Sequence, residues 1–176
     1  PGGNLTGVTC MTTELMPKRL ELLKEALPKA SRVMFLHDPE AATNAYKLTQ
    51  EAAPRLGLRM QAAQVGSADA LLPELTMIAK EHPDALLVYP DVVLSSHPRP
   101  QQLADFAIKA HLPTVHAFRF YVDAGGLMSY GATTSEIYTS AAEQVAKILK
   151  GARPSELPLR QATRFELVIN NRTAKA

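Results

Sequence analysis

Apolar residues gather along this chain in two alternating patterns. In one they sit in short runs fenced by turn residues: Val33–Leu36, Ala85–Asp91 (ALLVYPD), Pro113–Phe118 and Leu127–Tyr130. In the other they recur every three or four residues, as in Met16, Leu20, Leu23 and Leu27, or Ala45, Leu48, Ala52 and Leu56. Leu71, Leu75 and Ile78 repeat that spacing, then Leu103, Phe106, Ala107 and Ala110, and finally Tyr138, Ala141, Val145, Ile148 and Leu149. A fenced apolar run predicts a strand buried on both faces, and a three-to-four spacing predicts an amphipathic helix. Strands of that kind alternating with helices predict an α/β fold, a doubly wound parallel sheet.

Punctuation along the chain agrees with this reading. Pro17 fits a first helical turn and Pro28 ends that helix, while Gly57 and Gly151 are natural helix stops. Pro73 falls early enough in its helix to be tolerated. Leu5–Thr9 is a short β-prone entry. Met60–Val65, interrupted by Gln61 and Gln64, predicts an edge strand. Thr133-Thr134-Ser135-Glu136 has the form of a capping box ahead of the last helix. A Pro-rich connector then leads to Phe165–Ile169, an alternating strand that comes late and alone.

Parallel sheets present ligands to the carboxyl ends of their strands. There the sequence places His37, Asp38, Thr43 and Asn44 after the first buried strand and Asp91 after the second. Thr43 and Asn44 stand where a helix would open. Asp38 and Asp91 end neighbouring strands, and an Asp in such a place by default caps the turn or helix that follows. As a pair they suit hydrogen bonding to a polar ligand better than proton exchange. His37 and His116 lie near strand ends, where packing is the simpler role.

Composition narrows the function without supplying one. With 176 residues, 46% hydrophobic and 20% charged, the chain has the makeup of a globular protein with one good core. Its formal charge of +2 is small and its basic residues are scattered, so no nucleic-acid stripe is expected. No apolar run approaches the roughly 20 residues of a membrane-spanning helix. Cys10 is the single cysteine, which leaves no internal disulfide and no cysteine metal site. Neither a P-loop nor a dinucleotide fingerprint is present, Gly125-Gly126 precedes a strand where a tight turn is needed, and the five histidines form no metal-binding pair. No nucleophile arrangement is visible, so no catalytic residue, metal or cofactor is expected. Pro1-Gly2-Gly3 opens the chain without methionine and Ala174-Lys175-Ala176 closes it inside a starting helix, the pattern of a piece of a longer protein.

Several segments, in order, are more specific. PGGNLTGVT, MPKRLELLKEALP, RVMFLHDP, ALLVYPD, AGGLMSYG, KILKGARPSELPL and FELVINNRTAKA resemble the substrate-binding proteins of bacterial ABC importers. The resemblance is to type I periplasmic binding proteins of the group with tryptophan-binding, TrpX-like receptors. It implies a carboxyl-terminal lobe over 1–131 with hinge segments at both ends, the first crossing being Pro1–Thr9 and the return Ser129–Gly131. It further implies a helix within 132–152 that packs on an absent amino-terminal lobe, and a connector and return strand over 153–176. The apolar stripe of helix 135–150 would then need another cover: a second chain, as in a dimer, a symmetry-related copy, or its own lobe. Ligand contacts would come from Asp38, Thr43, Asn44, Asp91, Ala117, Phe118 and Tyr130. Thr43 and Asn44 would seat a carboxylate, Asp91 would accept from an amino group and Phe118 would stack on the ligand body. His-Asp-Pro replaces the Asn-Pro more usual after the first strand, which bears on whether tryptophan itself is the ligand. The implied function is non-catalytic: a periplasmic or otherwise extracytoplasmic receptor, lipid-anchored as one option, passes a small solute to permease subunits in the membrane. A doubly wound enzyme fragment and the sensor domain of a transcription regulator are the alternatives. A single lobe, lacking half the contacts, is expected to hold ligand weakly.

Overall fold

The computed structural model describes residues 3–175, so Pro1 and Gly2 of the expected first crossing lie outside the described residues, as does Ala176. After a two-residue strand β1 (Val8–Thr9), helix α1 (Met16–Ala26) buries Met16, Leu20 and Leu23, the stripe its spacing predicts. Pro17 sits in its first turn, where a missing N–H costs nothing. Then follow β2 (Arg32–His37), α2 (Thr43–Ala52), β3 (Arg59–Gln64), α3 (Leu71–Glu81) and β4 (Ala85–Val88). Gly57 closes the turn after α2 at φ 67°, the left-handed region that glycine enters freely. The next elements are α4 (Val92–Ser95), α5 (Arg99–Lys109), β5 (Thr114–His116), α6 (Arg119–Asp123) and β6 (Met128–Ala132). The chain ends with α7 (Thr134–Leu149), β7 (Arg160–Gln161) and β8 (Phe165–Ile169).

Six strands form one sheet in the order β3-β2-β4-β5-β6-β8. All neighbouring pairs are parallel except β6 with β8, where Met128 faces Ile169 and Ala132 faces Phe165. This is the expected doubly wound sheet with its late return strand. Two apolar layers sandwich it. Val33, Phe35, Leu87 and Val115 pack against α1 and α2, whereas Met34, Leu36, Leu86 and Val88 pack against α3, α4 and α5. Residues of opposite parity on each central strand thus feed opposite cores, which is why β2 and β4 read as unbroken apolar runs.

The edge strand β3 shows the predicted mixture, with Ala63 buried and Gln61 and Gln64 exposed. Two short helices, α4 and α6, occupy stretches that periodicity leaves as loops, because four or five residues are too few for a stripe. The stripe expected for α2 is only partly used: Ala45 is buried, Ala52 and Leu56 are half-buried and Leu48 is exposed, while Thr49, outside the stripe, is buried.

Helix α7 departs from expectation at its amino end. Thr133 does stand at the N-cap, but its hydroxyl makes no capping bond and is buried without a partner. Glu136 turns instead to Thr163 and Arg164, accepting from both backbone N–H groups and, at 2.7 Å, from the Thr163 hydroxyl. These bonds hold its carboxyl below the ordinary range, the Thr163 hydroxyl contributing most. The helix is pinned to the lobe by buried Gln144, which donates to the carbonyls of Gly7 and Pro158 and accepts from Thr6. Its apolar stripe does not fold onto its own lobe: Tyr138, Val145 and Leu149 are exposed, and Ile148 is half-buried.

Candidate functional site

The carboxyl ends of β2, β4 and β5 line one edge of the sheet, and the sequence-predicted residues gather there. Asp38 follows β2 and Asp91 follows the neighbouring β4. Asp91 Oδ2 accepts from the Asp38 backbone N–H at 2.9 Å, and Oδ1 accepts from Leu94 N–H at 2.7 Å. One buried carboxylate therefore caps α4 and fastens two strand ends together. Burial pushes its pKa up, and the two N–H donors only partly oppose that.

The Asp38 loop is preformed by local bonds. Its Oδ1 accepts from Glu40 N–H at 2.9 Å, and its carbonyl accepts from Ala41 and Ala42. Thr43 donates its hydroxyl to the Pro39 carbonyl at 2.8 Å. Thr43 and Asn44 are exposed in the first turn of α2, and Ala42 at the N-cap offers no side-chain acceptor to that turn. Among the described residues no side chain caps it, which leaves first-turn N–H groups for an outside acceptor.

Ala117 and Phe118 follow β5, and Tyr130 lies level with Ala117 on β6, the strand register pairing His116 with Ser129. Phe118 is half-buried and belongs to a ladder of rings. It stacks on Phe120 with centroids 5.8 Å apart, Phe120 on Tyr121 at 4.4 Å, and Tyr121 on His116 at 4.5 Å. The inner end is fastened by hydrogen bonds. Tyr121 and Ser95 share a 2.9 Å hydroxyl bond, and His116 Nε2 lies 2.9 Å from Thr114 Oγ1. Full burial drives the His116 pKa down to about 3, so its ring is neutral near pH 7. Gly126 permits this packing, since a Cβ there would stand 2.7 Å from His116 Nε2 and 2.9 Å from the Tyr121 carbonyl. His37 is likewise a packing residue, its ring stacked on Tyr46 at 5.5 Å and buried with Nε2 unpartnered.

Two residues at this edge escape sequence reading. Phe120, exposed beside Phe118, falls in a segment too short to show a pattern. Arg19 is fully buried, and its one signal in the sequence is its place three residues after Met16 on the apolar stripe. Its Nε donates to the Tyr130 carbonyl at 2.7 Å and Nη1 to the Thr12 carbonyl at 2.8 Å.

Among the described residues no group of acids, histidines or cysteine is placed to hold a metal ion, and no helix is long and apolar enough to cross a membrane. The edge is an open rim. A groove of about 370 Å³ does exist, but at the opposite end of the sheet, lined by Leu27, Pro113, Leu127 and Ile169.

Solved structures share this architecture. A conserved domain protein from Vibrio cholerae is 26% identical with a TM-score of 0.89, over 99% of this chain and 58% of that one. The ABC domain in complex with L-Trp from Streptococcus pneumonia is 22% identical, TM-score 0.79, over 99% and 60% of the two chains. A solute binding protein of an ABC transporter from Agrobacterium vitis, bound with alpha-D-tagatopyranose, is 13% identical, TM-score 0.65, over 97% and 62%. The chain thus spans about three fifths of the length of these neighbours. It has no match among curated proteins. The fold is that of one lobe of a type I periplasmic binding protein. Residues 1–176 match the family described as ABC transporter substrate binding protein, a family of binding proteins and not of enzymes, and the chain belongs to it.

Proposed function

We propose that this chain is the carboxyl-terminal lobe of an extracytoplasmic solute receptor that captures an amino acid or a similar small molecule and delivers it to ABC permease subunits. The observation that carries the reading is the convergence at one sheet edge of a preformed polar loop and an aromatic plate, with Asp91 tying the loop to the next strand. Phe118, with Phe120 behind it, offers a flat apolar surface to a ligand body. Asp38, Thr43, Asn44, Ala117 and Tyr130 supply the surrounding polar and backbone groups, and Asp91 holds two of the loops in place. The streptococcal neighbour's L-Trp supports the amino-acid class, and the Agrobacterium neighbour's tagatopyranose marks the competing one.

In this reading residues 1–131 form the lobe with its hinge segments, 132–152 the helix that meets the other lobe, and 153–176 the connector and return strand. Ligand favours a closed state by binding it more tightly than the open one, with rotation at the crossings. A thermal-shift panel of the twenty amino acids and common monosaccharides on the full-length, two-lobed protein tests this. A ligand at 100 times its Kd stabilises by about 2.7 kcal/mol. The expected result is a rise in Tm with an aromatic or branched amino acid, lost in Phe118→Ala. A response to monosaccharides alone would overturn the amino-acid class, and no response at all would overturn the receptor reading.

A further inference from the structure

Arg19 holds a full positive charge inside the lobe without an anion beside it. It is 1% exposed, and among the described residues it takes part in no salt bridge. Its acceptors are two neutral carbonyls, of Thr12 and Tyr130, and the Met16 sulfur at 2.9 Å from Nη1. These satisfy donors but do not neutralise charge, and an unpaired buried ion is costly to keep. Desolvation brings its pKa down to about 10, so the guanidinium is still charged near pH 7.

The remaining nitrogen is the informative one. Among the described residues Nη2 has no hydrogen-bond acceptor, and it faces Gly131: a Cβ built there would lie 3.4 Å from Nη2 and would collide with the Ala117 carbonyl. The nitrogen thus lies at the meeting of Tyr130, Gly131 and Ala117. Helix α1 leads down into β2, so its first turn, with Arg19, lies at the carboxyl edge of the sheet. The neighbouring acids of that edge do not serve as its partners: Asp91 is spent on two N–H groups and Asp38 on Glu40.

We infer that Arg19 is the counter-charge for a carboxylate of the bound solute, seated at Nη2 beside Gly131, Ala117 and Tyr130. This rests on the receptor reading and narrows it to solutes bearing an anionic group. It also moves the anion seat away from the first turn of α2. The exposed N–H groups there offer about half a charge under solvent screening, whereas Arg19 offers a whole one in a low-dielectric setting. A guanidinium N–H meets a carboxylate with a charge-assisted bond, and here the same side chain already holds the Thr12 and Tyr130 segments together.

The test uses the 15N-labelled chain and two small probes of nearly equal shape, sodium propionate and propionamide, titrated to tens of millimolar. Propionate is expected to shift the amide signals of Ala117, Tyr130 and Gly131 and the Arg19 Nε–H signal, with propionamide at least tenfold weaker. Arg19→Met should abolish the response, and Arg19→Lys, which keeps the charge but loses the planar guanidinium that aims Nη2, should weaken it several-fold. Lys80→Ala, at the exposed carboxyl end of α3 and away from this edge, should leave it unchanged. Equal responses to both probes, a propionate response surviving in Arg19→Met, or its loss in Lys80→Ala would overturn the inference. Should Arg19→Met fail to fold, the probe pair and Arg19→Lys decide alone. Propionate that shifts nothing here also overturns it, and the separate amino-acid and sugar panel shows whether the receptor reading falls with it.

Discussion

Strand β4 carries an aspartate just beyond each end, and each ties β4 to β2 through backbone N–H groups. Before the strand, Asp84 Oδ2 accepts from Ser31 at 2.7 Å and from Arg32 at 2.8 Å. After it, Asp91 accepts from Asp38 and Leu94. The bonds are alike and the surroundings are opposite. Asp84 is exposed, and its N–H donors, Ser31 first, hold its pKa below the ordinary value. Asp91 is buried, and desolvation outweighs similar donors and raises its pKa. The amino end of the sheet is therefore a solvated fastening, and the carboxyl end a desolvated one of the kind that binding edges favour.

The largest test of that contrast is substitution by alanine. Asp91→Ala strands a buried Leu94 N–H and frees the Asp38 loop, so denaturant unfolding should show a loss of about 2–4 kcal/mol. Asp84→Ala lets water replace the carboxylate and should cost about 0.5 kcal/mol. Equal losses would break the comparison.

Acid titration gives the next effect. The folded pKa of His116, about 3, lies below its unfolded value near 6.5. Between those values the unfolded chain binds more protons, so stability is complete above about pH 6.5 and declines as pH falls toward 3. Replacing His116 by Phe should flatten that limb in urea midpoints measured from pH 7 to 3. An unchanged slope would show that the ring protonates without leaving its stack on Tyr121.

A smaller change separates the two aspartates by sign. The depressed pKa of Asp84 contributes stability above its unfolded value near 3.9 that is lost as pH falls through the folded one. Asp91, with its pKa raised, opposes folding when charged, and its protonation on acidification relieves that. Asp84→Asn should therefore make stability less steep with pH below about 5, and Asp91→Asn more steep. The same sign in both variants would refute the contrast.

Much of this was legible in the sequence because the central strands bury both faces and so advertise themselves as apolar runs. Val33–Leu36 and Ala85–Val88 announce β2 and β4, and their ends locate Asp38 and Asp91. What escaped was tertiary. Beyond its place three residues after Met16, nothing local tells a buried Arg19 from a surface one, because one of its acceptors is the carbonyl of Tyr130, 111 residues away. The apparent capping box failed for a related reason: Glu136 found Thr163 and Arg164, donors that a four-residue pattern cannot include. The stripe of α7 was read correctly as apolar, but Gln144 anchors the helix.

That exposed stripe carries the smallest stability effect. Val145→Lys with Leu149→Lys should change the stability of the chain by less than about 0.5 kcal/mol, since both side chains are exposed. We propose that this face pairs two copies of the isolated chain, and sedimentation at high concentration should then show a dimer that the double variant lacks.

Chemical-shift mapping of a hit from the amino-acid panel on the labelled chain tests the central claim most directly. The account predicts shifts confined to the carboxyl edge, at residues 38–44, 91–94, 117–120 and 130. Shifts centred instead on the opposite groove, at Leu27, Pro113, Leu127 and Ile169, would contradict it.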